Sequence, residues 1–281
     1  MHIDLKKEVT HSSAGIFGIA ALALIMLLAL FAPLLTGYDP IAQSVHSFLA
    51  PYWSHPLGTN HVGQDIWSQL LYGARTSLLV GVSVALLSTL LGAAVGASAA
   101  LIGGMYDRIV MRIVDALLVI PIIIVLILVA AYLRPSIWTI IVMLSLLGWQ
   151  GGARIVRAQA LSLREKLHIS AARSFGAGTV YLIYRHILPD LSPILLVEFI
   201  YAMRRAVFME AGLAFIGISD PSVVSWGVMM REALDYSYLN VWAWWLLPAG
   251  VALSLLIMSV TFIGHSMEPV MDPRLRGEAS A

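Results

Sequence analysis

The stretch SLLVGVSVALLSTLLGAAVGASAALI, residues 77–102, contains 26 residues and no charged side chain. An α-helix rises about 1.5 Å per residue, so about 20 consecutive apolar residues cross the hydrocarbon core of a bilayer. The length of this stretch and its lack of charge predict a membrane-spanning helix. The fold class then depends on how many further stretches of this kind the chain contains.

The same criterion finds five more apolar stretches, which predicts an all-α polytopic membrane protein with six transmembrane helices. Pro121 is expected to kink the third helix, and glycines end the short fourth one. The first stretch contains Pro33 near its end and is followed by Tyr38-Asp39-Pro40, with no small-residue cleavage site, so it is interpreted as an uncleaved anchor. The predicted spans cover about residues 14–35, 77–102, 109–133, 137–152, 193–218 and 241–264.

The composition excludes several other classes of protein. Of the 281 residues, 59% are hydrophobic and 12% are charged, whereas a soluble domain carries about 25% charged residues. A soluble enzyme, a nucleic-acid-binding domain and a disordered chain are therefore excluded. The chain contains no cysteine, which excludes disulfide bonds and cysteine-ligated metals. Its net charge of +1 does not favour a polyanionic partner.

The positive charges predict the orientation, because Lys and Arg concentrate on the cytoplasmic side of membrane proteins. With the N-terminus inside, twelve of the seventeen Lys and Arg residues are cytoplasmic and Arg75, Arg134 and Arg231 are outside. Both termini are thus predicted to be cytoplasmic. The predicted regions are a tail and first helix (1–36), an extracytoplasmic segment (37–76), a five-helix core (77–265) that includes a cytoplasmic hairpin (154–192), and a C-terminal tail (266–281).

The cytoplasmic hairpin has few turn residues, and its composition predicts two short amphipathic helices. Within it, Ser170-Ala171-Ala172 is followed after three residues by Gly176, and nine residues later by His186-Ile187-Leu188-Pro189. A small-residue helix surface suits a partner's groove, a glycine permits a tight turn, and a proline can begin a helix. The pattern predicts a docking surface; a hairpin lying on lipid headgroups is the alternative.

This spacing resembles the coupling loop of ATP-binding-cassette (ABC) importer permeases. The family pattern is Glu-Ala-Ala, three residues, Gly, nine residues and Ile-x-Leu-Pro. Ser170 stands in place of the glutamate and His186 in place of the first isoleucine. The resemblance implies that the residues coupling the chain to an ATPase are Ser170, Ala171, Ala172, Arg173, Gly176, Ala177, Gly178 and Pro189.

A second motif, HPLGTNHVGQD at 55–65 followed by WSQLLYGARTSL at 67–78, resembles the C-type subunit of the dipeptide/oligopeptide/nickel permease subfamily. Asn60 and Gln64 stand where that subfamily typically has Asp and Arg. EAGLAFIG at 210–217, SWG at 225–227 and MDPRL at 271–275 support the same resemblance.

The resemblance implies a type I importer (MetI-like) fold in the inner membrane of a prokaryote. It also implies three kinds of partner: a B-type permease, two ATPase subunits and an extracytoplasmic binding protein. Substrates of the subfamily are peptides, nickel chelates, metallophores and some sugars. No phosphate-binding Gly-x-x-x-x-Gly-Lys-Ser/Thr motif occurs in this chain. We therefore expect no catalytic residue and no cofactor bound by the chain, with ATP and Mg²⁺ bound by the partner subunits.

The predicted fifth span is unusual because it contains Glu198, Arg204, Arg205 and Glu210. Ionisable groups inside a membrane are costly and usually face a partner or a watery cavity. These four residues are therefore candidates for the translocation path, with charge pairing between helices as the alternative. Glu198 and Arg205 are about 10.5 Å apart at the helical rise, so we expect no direct ion pair between them.

Three local expectations complete the sequence analysis. Asp115 is expected to pair with Arg112, three residues away. Gly92-x-x-x-Gly96 and Gly148-x-x-x-Gly152 predict close helix packing inside the chain, with a dimer interface as the alternative. The histidines at positions 46, 55 and 61 show no ligand spacing, so no metal site is predicted.

The sequence therefore predicts an importer permease subunit. The first rival is a self-contained secondary transporter or channel, which would often show an inverted internal repeat. The second rival is a membrane-bound signalling or scaffold protein without transport.

Overall fold

The structure is a computed structural model that describes residues 12–133 and 136–267. Across these ranges the regular elements are helices, and the β-structure consists of two isolated bridges. The all-α class is therefore confirmed. Lys6, Lys7, Arg134 and the motif at 271–275 lie outside the described residues.

The described residues form twelve α-helices, which we number in chain order. A π-helical turn at Ile183–Ile187 joins α9 to α10, and a 3₁₀ turn at Asn240–Ala243 precedes α12. The helices are α1 (Ser13–Leu30), α2 (Ala32–Leu35), α3 (Ile66–Ile102), α4 (Gly104–Val119), α5 (Ile122–Tyr132), α6 (Ile137–Leu146), α7 (Gln150–Arg164), α8 (Leu167–Ser174), α9 (Thr179–Leu182), α10 (Leu188–Phe215), α11 (Trp226–Asp235) and α12 (Leu246–Ser266).

Four continuous helical stretches of the described chain are long and apolar enough to cross a membrane: Ser13–Leu30, Ile66–Ile102, Thr179–Phe215 and Asn240–Ser266. Two bent pairs of helices meet the same criterion together. The pair α4 and α5 bends by 80°, and the pair α6 and α7 bends by 40°. Counting each bent pair as one span gives the six spans that the sequence predicts.

The 80° bend lies at Pro121, where the sequence predicts a kink. Ile120 has φ −77° and ψ 123°, an extended conformation. The ring of a following proline disfavours the helical conformation at the residue before it. The third span is thus two helices joined at a sharp corner.

Two predicted boundaries are wrong. The helix α3 begins at Ile66 and not near residue 77, because the Asp65 side chain accepts a hydrogen bond from the Ser68 backbone N–H at 2.7 Å. The first turns of α3 are too polar to belong to an apolar run, so the criterion of length and apolarity misses them. The helix α10 begins at Leu188 and not near residue 193, so the predicted hairpin is shorter than expected. Pro189 lies in the first turn of α10, as expected.

The glycines of α3 set a close approach to α7. A Cβ on Gly96 would lie 2.5 Å from the Ala153 carbonyl oxygen and 2.9 Å from the Val156 Cβ. A Cβ on Gly92 would lie 3.1 Å from the Ala153 backbone nitrogen. The predicted role of these two glycines in internal packing is confirmed. Gly152 also packs inside the chain, since a Cβ on it would lie 3.2 Å from the Glu198 side chain of α10.

The first prediction concerns this approach. We expect Gly96→Ala to lower the free energy of unfolding by about 1–3 kcal/mol, the usual cost of overpacking a tight interior. The matched control is Gly212→Ala, because nothing lies within 4 Å of the position of its Cβ. Thermal unfolding of the full chain in detergent measures the stability of both variants. Equal stability of the two variants would contradict the packing assignment.

The second prediction concerns orientation. The chain has no cysteine, so single cysteines report without background. Asn60 is fully buried and is a poor probe position, whereas Val45 is 92% exposed and the Lys166 side chain is 52% exposed. In intact cells we expect Val45→Cys to react with a membrane-impermeant thiol reagent and Lys166→Cys to react only after permeabilisation. The reverse pattern would invert the topology.

Candidate functional site

The short helix α8 is fixed to the membrane helices through one buried side chain. Ile169 is 1% exposed and packs in a cluster with Leu182, Ile187 and Leu191 from the following helical stretch. The α7 residues Val156 and Leu163 belong to the same cluster. The motif segment is therefore an ordered part of the fold that packs against the last turns of α7 and the first turn of α10.

The spacing between Ala172 and Gly176 in the motif is the spacing of a helix C-cap that ends α8. Gly176 has φ +87°, a conformation that favours glycine. The Gly176 backbone N–H donates to the Arg173 carbonyl oxygen at 3.0 Å, and the Ala177 N–H donates to the Ala172 carbonyl oxygen at 3.1 Å. These two bonds form a Schellman C-cap, which usually includes an apolar contact between the residues in the positions of Ala172 and Ala177. Both alanines pack against the Ile169 cluster.

This geometry changes the expected role of Ala172. It is partly buried against the chain's own cluster, so its small size serves the internal cap. Ser170, Arg173 and Gly178 are exposed and Ala171 is partly buried. Large side chains that sequence reasoning did not select lie exposed in this segment. They are Leu167 (84% exposed), Phe175 (92%), Val180 (68%), Tyr181 (54%) and Tyr184 (71%). Because the segment is predicted to be cytoplasmic, we call these five residues the cytoplasmic apolar surface.

Electrostatic contacts tie the beginning of α8 to α10. Asp190, in the first turn of α10, lies 3.9 Å from the Lys166 Nζ and 3.6 Å from the His168 Nε2. The helix α8 is thus held at its start by Asp190 and along its length by Ile169. A force applied to its exposed face reaches both α7 and α10.

A cavity of about 250 Å³ lies between α3, α4, α5, α6, α7 and α10. Most side chains that line it are apolar, such as Val84, Leu144 and Met209. The polar ones are Ser88, Gln150 and Arg205. Of the four candidate path residues, Arg205 is the one that lines this cavity.

The expectation that Glu198 and Arg205 do not pair is wrong. The Arg205 Nη2 donates to the Glu198 Oε1 at 2.6 Å. Helical side chains point back toward the N-terminus, so the long arginine covers the two turns that separate the Cα atoms. The Glu198 side chain is 8% exposed and the Arg205 side chain 48% exposed. A buried carboxylate thus holds an arginine that reaches open space.

The other two candidates do not line the cavity. The Arg204 guanidinium lies 5.3 Å from the centroid of the Tyr201 ring. Glu210 is 5% exposed and lies next to Ser225, which caps the start of α11. Arg204 and Arg205 therefore face different ways, as the 100° step between helical neighbours requires. Glu210 joins α10 to α11.

The predicted pair of Asp115 with Arg112 is also wrong. Asp115 of α4 forms its ion pair with Arg154 of α7. Asp107 of α4 binds Arg157 of α7 through two bonds of 2.5 and 2.6 Å. These pairs between helices fasten α4 to α7, a proximity that sequence spacing does not reveal.

Two histidines of the segment that is predicted to be extracytoplasmic have structural contacts. The His55 Nδ1 lies 2.8 Å from the Asp65 carboxylate, next to the start of α3. The His61 ring stacks on Tyr236 and Trp245, with centroids 5.0 and 5.7 Å away. Burial lowers the pKa of His61, and the Asp235 carboxylate opposes that shift. This stack fastens the extracytoplasmic segment to α12.

Comparison with known proteins gives the same picture over nearly the whole chain. A protein that carries the provisional name of a peptide permease in Brucella suis biovar 1 (strain 1330) is 38% identical over 93% of this chain and 87% of its own length. The dipeptide transport system permease protein DppC of Bacillus subtilis (strain 168) is 32% identical over 97% of this chain and 86% of its own.

A chain from inward-facing structures of the MetNI methionine ABC transporter matches the fold with a TM-score of 0.53 and 20% identity. The match covers 70% of this chain and 93% of that one, and it confirms the MetI-like fold. The family model described as "Binding-protein-dependent transport system inner membrane component" matches residues 88–277. The chain belongs to this family and is a permease subunit of an ABC importer in the bacterial inner membrane, as its motifs predict.

Proposed function

We propose that this permease forms a path for peptides together with a B-type permease. An extracytoplasmic binding protein delivers the peptide, and two ATPase subunits, which bind the ATP and Mg²⁺, drive the cycle from the cytoplasm. The observation that carries the proposal is the cytoplasmic apolar surface. Large apolar side chains lie exposed on a segment that is itself firmly anchored.

The exposed fraction of these side chains favours a protein partner. Phe175 is 92% exposed and lies directly before the glycine turn, while Leu167 at the other end of α8 is 84% exposed. Apolar patches of this kind on an ordered surface mark interaction sites. A short helix that lays its face in a partner's groove is a common mode of recognition. The ATPase is the partner proposed for this surface; lipid headgroups are the alternative.

The contacts of α8 provide a route from the docked ATPase to the membrane. Ile169 joins α8 to α7, and Asp190 joins it to α10. Both α7 and α10 line the cavity of about 250 Å³. A displacement of α8 by the closing ATPases would thus move two walls of the proposed path.

Peptides are the proposed substrate because relatives from Brucella and Bacillus that match over most of this chain carry peptide or dipeptide permease names. Nickel chelates are the runner-up, which rests on the resemblance to the wider subfamily. Most of the specificity in both cases is assigned to the binding protein. Uptake by the assembled transporter therefore tests the substrate more directly than any property of this chain.

The third prediction tests the docking surface. We expect Phe175→Ser and Leu167→Ser to weaken binding of the ATPase by about ten- to a hundredfold each, the value of burying one large apolar side chain. Uptake should fall while the permease pair stays assembled. The matched control is Val45→Ser, which changes an equally exposed residue of the extracytoplasmic segment. Pull-down of the ATPase and vesicle uptake are the measurements.

Unchanged ATPase binding in both variants would overturn the docking proposal. Normal ATPase binding by both variants, together with quenching by lipid-borne quenchers of a fluorophore attached at residue 175 of the reconstituted chain, would support the headgroup alternative. Ala172→Trp is a less clean test, since Ala172 packs against the chain's own cluster and a large side chain there would also destabilise the fold.

The fourth prediction tests transport itself. Proteoliposomes that contain both permeases, the ATPases and the binding protein should accumulate a labelled dipeptide only when ATP is present on the ATPase side. A secondary transporter would accumulate it without ATP, under an ion gradient. Uptake of a nickel chelate and not of dipeptide would favour the runner-up substrate. A scaffold protein would transport neither.

A further inference from the structure

The Arg205 side chain has hydrogen-bonding capacity that its ion pair does not use. A guanidinium carries five N–H donors in a planar fork. The bond from Nη2 to Glu198 uses one of them, and the side chain of Arg205, which is one of the residues lining the cavity, is 48% exposed. The rest of the guanidinium is thus open to an acceptor that enters the cavity.

Arg205 lies at one end of an open face of α10. This face consists of four residues spaced by three, four and three positions, which places them on one side of the helix: Arg205, Phe208, Gly212 and Phe215. Phe208 is 62% exposed, Phe215 is 40% exposed, and nothing lies within 4 Å of a Cβ on Gly212. The described part of this chain leaves that face open.

The charge on this face decides what it contacts. A guanidinium at the middle of a span is costly against hydrocarbon, and such groups face water or a protein partner. Arg205 lies well inside α10, ten residues before its last residue, Phe215. The face from Arg205 to Phe215 therefore borders a hydrated space or the second permease, and not lipid tails.

We infer that Arg205 binds the carboxylate of a peptide in transit and that Glu198 is a positioning residue that holds the guanidinium toward the cavity. This inference rests on the proposed peptide path. Arginine and carboxylate groups match in geometry, and such charge-assisted bonds are stronger than neutral ones. Because Glu198 already neutralises the arginine, long-range attraction of an anion is weak, and binding depends on the direct N–H bonds of the guanidinium. Weak binding suits a site that must also release its ligand.

The test compares two forms of one peptide, trialanine and trialanine C-terminal amide, which differ at the carboxylate. Both are measured by ATP-dependent uptake into proteoliposomes that contain the complete transporter and its binding protein. The binding protein is the same in every sample, so its own preference cancels when the acid-to-amide uptake ratio of a variant is divided by that of the parent.

The principal variant is the double substitution Glu198→Gln with Arg205→Gln, which leaves no unpaired buried charge. We expect its acid-to-amide ratio to fall about tenfold or more, the usual value of one hydrogen bond to a charged group, with amide uptake within about twofold of the parent. The matched control is Arg204→Gln. It also removes one arginine charge from α10, but the Arg204 guanidinium lies over the Tyr201 ring and not in the cavity. Its ratio should stay at the parental value.

An assembled double variant with an unchanged ratio would overturn the inference, and so would an equal loss of acid and amide uptake. If that variant does not assemble, Arg205→Lys decides, because lysine keeps the charge without the planar fork. A lower ratio in the assembled lysine variant supports the inference, and an unchanged ratio overturns it. Failure of the proposed function is distinct: the parent transporter would then take up neither form of the peptide.

Discussion

The close approach of α3 to α7 is the contact on which the rest of this fold depends. Gly96 lets the two backbones meet where a side chain would strike the Ala153 carbonyl. Closer to the start of α3, Gly81 lets α10 approach in the same way. A Cβ on Gly81 would lie 2.7 Å from a Val207 methyl group. The 37-residue helix α3 thus supports α7 and α10, which both line the cavity and lead to the motif segment.

Much of this arrangement follows from elementary patterns in the sequence. Apolar runs locate the six spans, and a proline within the third locates its sharp bend. The spacing from Ala172 to Gly176 belongs to a helix cap, and Gly176 has the positive φ that this cap needs. These features are local, because each depends on the conformational preferences of a few neighbouring residues. Local features are what a single sequence predicts well.

The features that the sequence did not predict depend on side-chain reach or on contacts distant in sequence. The distance between Cα atoms argued against a bond from Arg205 to Glu198, yet the arginine side chain is long enough to make it. Asp115 pairs with Arg154, 39 residues away, because α4 and α7 are neighbours in space. The start of α3 was missed since its polar residues, such as Gln69 at 3% exposed, are buried against the chain itself.

The position of Glu198 connects the cytoplasmic segment to the cavity. Its carboxylate lies against Gly152 of α7, where a Cβ would approach Oε1 to 3.2 Å. The backbone of α7 therefore limits where Glu198 sits, and Glu198 holds Arg205. The same α7 carries Val156 and Leu163, which contact the Ile169 cluster under α8. A shift of α7 that begins at the cytoplasmic segment would change the space around Glu198 and, through the ion pair, the direction of the guanidinium in the cavity.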